Sequence, residues 1–114
     1  YAHVMAHPVI GWRLLHPLMA DAPIALDVVR SHHERWDGRG VPDALAGAAI
    51  PLAARVAAVA DGLDAMTSHR PYRRGRTLAE ATAEIVRCAG AQYDPSVVEA
   101  LEWGVATGTI TLLA

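Results

Sequence analysis

The stretch PLAARVAAVADGLDAMTS, residues 51–68, limits what this chain can fold into more than any other. Leu52, Val56, Val59, Leu63 and Met66 recur at helical spacing as one apolar stripe. The opposite side carries Ala54, Ala57, Ala58 and Ala65, with Asp61 among them. A helix apolar nearly all round is predicted to be buried, with other helices packed closely on it. Composition agrees: 53% of the residues are hydrophobic, many of them alanine, and phenylalanine is absent. Close-packed alanine-rich helices are the expectation, not a sandwich of β-branched strands. With 114 residues, the chain is expected to form one all-α domain, a bundle of about five helices.

The other elements follow from local signals. Pro8 opens a helical pattern with Ile10, Leu14 and Leu15 on one face. Pro23 opens a second helix running towards Ser31. Gly38, Gly40, Pro42 and Gly47 make residues 35–50 a loop. Thr77 and Glu80 have capping-box spacing, which predicts a helix from there to Ala89 with Gly90 near its end. Asp94 and Pro95 signal the start of a last helix through Trp103. The closing GVATGTITLLA is ambiguous between a frayed tail, a short strand and a packing arm.

A net charge of −2 argues against a partner that is a nucleic-acid polymer. The single cysteine, Cys88, excludes an internal disulfide and fits a reducing compartment. No apolar run approaches the ~18 residues of a membrane span.

Polar chemistry concentrates at three places. In HHERWDGRGVP, residues 32–42, His32 continues the row of Ile24 and Val28, and His33 the row of Leu26 and Val29. Both imidazoles are therefore expected to turn inward. A single inward histidine is ordinarily a satisfied core residue; for two adjacent ones at a helix end, a shared metal competes with that reading. Asp61 on a helix predicted to be buried needs either an arginine partner or a metal. His7, just before Pro8 at a helix start, favours the neutral ring that binds metal, but also suits a capping role. His3, His16 and His69 read as structural or exposed.

The third place is HRPYRRGR, residues 69–76, with four arginines in seven residues. Such runs are usually solvated loops, but guanidinium forks also match phosphate oxygens. Three histidines and an aspartate suit iron, manganese or zinc better than calcium or magnesium. A metal beside arginines points to hydrolysis of a phosphate ester.

Taken in order, HPVIG at 7–11, HHERWDGRGVP and VADGLDAMTSHRPYR resemble the HD-GYP domain, a branch of the HD metal-dependent phosphohydrolases. The resemblance covers roughly residues 3 to 102, and the combined motifs are far more specific than any one alone. It implies an HD-type helical bundle, a cytoplasmic location, and hydrolysis of cyclic di-GMP to pGpG or GMP. It implies metal ligation by His7, His32, His33 and Asp61, with iron or manganese as the divalent metal and two or more ions in an intact site. Arg70 and Arg73 match the positions that contact substrate phosphates. Asp37, Gly38, Gly40, Val41 and Pro42 match the signature loop. Glu34 is expected to support that loop, while Asp64 has no ligand role. A diguanylate cyclase of the GGDEF type, an upstream sensory domain and self-association are the partners the resemblance brings.

Two departures qualify it. The loop has Val41 where the family has tyrosine, which touches partner recognition and the rim of the site, not ligation. The HD dyad is also absent, and the chain begins six residues before His7. The expectation is thus the C-terminal portion of an HD-GYP domain, with little hydrolysis by these residues alone and with apolar surface left uncovered. The alternative is a degenerate, non-catalytic module that senses nucleotide or recruits a protein.

Overall fold

The structure is a computed structural model that describes residues 23–112. Those residues form four α-helices and no strand: α1 (Pro23–Ser31), α2 (Leu52–Thr67), α3 (Leu78–Arg87) and α4 (Pro95–Ala106), with a short 3-10 turn at Gly47–Ala49. The all-α expectation holds. The helix expected from Pro8, the first of the five, lies outside the described residues, as do His3, His7 and His16.

The helix starts follow from their caps. Thr77 Oγ1 accepts from Glu80 N–H at 3.1 Å and Glu80 Oε1 accepts from Thr77 N–H at 2.9 Å, a reciprocal capping box. Asp94 Oδ1 accepts from Ser96 N–H at 2.8 Å, with Pro95 in the first turn of α4.

The long helix α2 is the hub, touching α1 on one side and α3 and α4 on the other. Val59, Ile85, Tyr93, Val98 and Leu101 form the buried core at the α2–α3–α4 junction. The α2 stripe divides there. Leu63 and Met66 pack on the core, whereas Leu52 is 59% and Val56 49% exposed beside an exposed Ile24. The expectation that α2 is buried all round is corrected: only Ala54 and Val59 are buried along it. The uncovered apolar surface expected from the sequence is therefore present on α1 and α2.

The tail resolves as a packing arm. The chain turns after Ala106, and Ile110 N–H donates to Gly104 O at 2.8 Å. The Ile110 side chain lies over Gly104 so closely that a Cβ there would sit 2.4 Å from Ile110 Cδ1. Ile110 thereby joins the core from a sequence too short and polar to announce it.

Candidate functional site

Helix α1 ends at Ser31, so the two histidines sit in the turn after it. Extending the helical rows through them therefore fails for His33, which is exposed; His32 is half-buried. Their rings lie 4.1 Å apart and tilted by 42°. His32 Nδ1 is 2.6 Å from Val28 O. A carbonyl oxygen only accepts, so Nδ1 carries the proton, and in the neutral ring Nε2 holds the lone pair available to a metal.

Both histidines line a depression of about 200 Å³ together with Asp61, Gly62 and Tyr93. Asp61 is exposed there, which corrects the expected buried carboxylate. The covered side of α2 runs through Ala54, Val59 and Ala58, which face the interior, whereas Asp61 and Ala65 lie on its exposed side. Among the described residues Asp61 makes no ion pair, so the arginine partner that the sequence left open is not found.

Two imidazoles and one carboxylate facing a common depression are a donor set that fits a divalent cation. The fit is incomplete among the described residues, where no group of three or more His, Cys, Asp or Glu side chains is close enough to hold one ion. His7, the fourth residue of the expected set, lies outside them.

Glu34 lines the same depression but faces the loop. It is buried, and its carboxylate accepts from Asp43 N–H at 2.6 Å and Leu45 N–H at 2.9 Å. The expected supporting role for Glu34 is thus seen directly. Asp37 pairs with Arg35 at 3.0 Å and accepts from Arg39 N–H at 3.0 Å. These donors hold its carboxyl below the usual range, the Arg35 hydrogen bond most of all. Trp36 and Asp37 N–H donate to Gln92 and Ala91 carbonyls, stitching the loop to the segment before α4. Gly40 lets the loop cross its own start, because a Cβ would lie 2.4 Å from Arg35 N. Val41 follows, half-buried, with its N–H donating to His33 O at 3.3 Å, ahead of a cis bond to Pro42. Gly38 sits at φ +81°.

The arginine loop begins where α2 ends. Arg70 and Arg73 exchange backbone hydrogen bonds of 2.9 and 3.2 Å, and Arg73 Nη2 donates to Ala65 O at 3.0 Å. Both are exposed, but neither lines the histidine depression. A separate cleft of about 750 Å³ has Asp64, His69, Arg74 and Arg76 on its walls. His69 is exposed and structural, its Nδ1 accepting from Gly75 N–H at 3.0 Å.

Two features escape a reading of the sequence. Arg55 Nη1 lies 2.7 Å from buried Asp94, a contact between residues far apart in the chain. Tyr93, whose phenol is pushed up by burial, fills space opposite Gly62 and reaches the depression. The signal for the second was Gly62 itself, an isolated glycine inside a strong helical pattern.

The family model described as HD domain matches residues 1–97. A cyclic di-GMP phosphodiesterase of Thermotoga maritima is 43% identical over 97 residues, 82% of this chain and 26% of its own length. The cyclic di-GMP phosphodiesterase response regulator RpfG of Xanthomonas campestris is 46% identical over 100 residues, covering 83% of this chain and 25% of its own. A crystal structure of a cyclic GMP-AMP specific phosphodiesterase of Vibrio cholerae superposes with a TM-score of 0.70 at 27% identity, over 83% of this chain and 22% of that one. The chain thus spans about a quarter of the length of the curated relatives it matches. No helix among the described residues is long and apolar enough to cross a membrane. HD-domain phosphodiesterases depend in general on divalent metal, in keeping with the imidazoles and carboxylate gathered here, and this chain belongs to the HD-domain family.

Proposed function

We propose that these residues belong to a metal-dependent phosphodiesterase that hydrolyses a cyclic dinucleotide, cyclic di-GMP, to pGpG or GMP. The observation that carries the reading is the meeting of His32, His33 and Asp61 at one depression in a chain similar to cyclic di-GMP phosphodiesterases. His32 presents Nε2, its other nitrogen being held by Val28 O, and Asp61 brings an exposed carboxylate from α2. With His7 these are the residues that would hold iron or manganese. Such an ion supplies Lewis-acid chemistry: it acidifies water and offsets phosphate charge. Arg70 and Arg73 hold substrate phosphates from the loop after α2, by charge and by the fork geometry of guanidinium. The buried Glu34 keeps the loop after the histidines in shape, and so fixes His33 through the Val41–His33 backbone contact.

A second reading is a non-catalytic module that binds nucleotide or a diguanylate cyclase. Val41, in place of the tyrosine of the family's signature loop, favours it. One experiment separates the two. The protein is loaded anaerobically with iron(II) or manganese(II), its metal content is measured, and cyclic di-GMP turnover is followed by chromatography. Metal uptake with turnover supports the enzyme; nucleotide binding without metal or turnover supports the module.

A further inference from the structure

Tyr93 is only 3% exposed, and its ring is part of the core with Val59, Ile85, Val98 and Leu101. Packing alone would be served by the ring. The hydroxyl needs a separate account, because it forces a glycine into the middle of α2. A Cβ at Gly62 would lie 2.3 Å from Tyr93 Oη and 3.1 Å from Cζ. Glycine in a helix interior costs about 1 kcal/mol relative to alanine. Room for one oxygen atom is what Gly62 provides, and it follows Asp61 directly.

That oxygen has no hydrogen-bond partner among the described residues. Yet no fully buried side-chain N or O atom there lacks a partner, so Tyr93 Oη is not sealed in the core. Tyr93 also borders a cavity of about 10 Å³ beside Arg55 and Asp94, but Gly62, against which the oxygen lies, lines only the depression shared with His32, His33 and Asp61. An almost wholly buried side chain thus brings one unused donor to the floor of that depression. Its place is fixed from both sides, by the core around the ring and by the capped start of α4 at Asp94.

The geometry points to Tyr93 as a binding residue whose hydroxyl donates a hydrogen bond to a phosphate oxygen of a ligand held in the His32–His33–Asp61 depression. This rests on the phosphodiesterase reading for the identity of the ligand and deepens it by adding a donor outside the expected arginines. A rigid phenol loses little freedom on engagement, unlike the exposed Arg70 and Arg73, so it suits a role in orienting one phosphate oxygen.

The test compares wild type with Tyr93→Phe in the manganese-loaded protein, using inorganic phosphate in calorimetry and cyclic di-GMP in steady-state assays. Tyr93→Phe keeps the ring and should leave the unfolding midpoint and the manganese content unchanged. Phosphate affinity and kcat/KM should each fall about tenfold, as for a lost bond to a charged acceptor. Gly62→Ala should destabilise the wild type and do so less in the Tyr93→Phe background, a non-additivity that locates the oxygen against α2. Equal phosphate affinity in wild type and Tyr93→Phe overturns the inference, as does a wild type that binds no phosphate. Phosphate binding that is sensitive to Tyr93→Phe, without cyclic di-GMP cleavage, upholds the inference and overturns the phosphodiesterase reading alone.

Discussion

Arg55 on α2 and Asp94 at the start of α4 meet at 2.7 Å, and the same Asp94 caps α4. Arg55 Nε also donates to Ile50 O at 2.9 Å, so one guanidinium ties the end of the signature-loop region to two helices. Asp94 is buried, and removing it strands a largely buried guanidinium as well as an uncapped helix. Losing a cap costs about 1 kcal/mol and breaking a buried pair about 3 to 5 kcal/mol. Arg55 retains some contact with water, so Asp94→Ala is expected to destabilise by about 3 kcal/mol in urea unfolding at neutral pH.

The same residue makes a pH prediction. Burial alone would raise the Asp94 carboxyl, but the donors on Arg55 and Ser96 outweigh it and hold the group below its ordinary value of 3.8. A carboxyl depressed in the folded state contributes stability above its unfolded pKa and loses it as pH falls through the folded one. Stability should therefore drop below about pH 4. In Asp94→Asn that part of the acid slope should flatten, as measured by unfolding midpoints from pH 2 to 7. An unchanged slope would assign acid sensitivity to other groups.

Glu34 uses both carboxylate oxygens on backbone amides. Glu34→Gln keeps one acceptor and turns an NH2 towards the other amide, leaving a buried donor unsatisfied at about 1 to 3 kcal/mol. Amide exchange should quicken at Asp43 and Leu45 before it does in α3 or α4. Uniform exchange across the domain would mean that the loop and bundle open as one unit.

How much of this was legible in the sequence depends on the range of the interaction. The starts of α3 and α4 were readable because capping is local: Thr77 with Glu80, and Asp94 with Pro95, lie within a turn. The support role of Glu34 was readable from the motif. Continuing a helical row past Ser31 misplaces His33, because the helix stops there. Asp61 was misjudged because an apolar surface on α2 states an appetite for neighbours, not their presence; Leu52 and Val56 remain exposed. Ile110 on Gly104 and Arg55 with Asp94 depend on tertiary placement, which no local pattern encodes, and Tyr93 against Gly62 leaves only the trace of a glycine inside a helical pattern.

Gly40 tests whether the signature loop and the histidines form one unit. An alanine Cβ would meet Arg35 N at 2.4 Å and Glu34 Cα at 2.7 Å, backbone that cannot swing aside. Gly40→Ala should cost more than about 2 kcal/mol, in the range of mutations that strain the backbone. It should also shift the His33 carbonyl resonance, since Val41 N–H bonds His33 O. A stability loss with an unmoved His33 would separate the loop from the site.

Asp61 offers the sharpest separation of function from fold. Exposed and without an ion pair among the described residues, it contributes little that a neutral isostere would lose. Asp61→Asn should change stability by less than about 0.5 kcal/mol, as surface substitutions do. As a ligand, the carboxylate supplies charge that the amide cannot, so manganese affinity should fall at least about tenfold. His32→Ala should lower metal affinity as well but differs in stability: it also removes the Nδ1 bond to Val28 O, and so adds about 1 kcal/mol of destabilisation. A protein whose metal affinity survives Asp61→Asn would have its metal elsewhere, and the depression would then serve nucleotide binding alone.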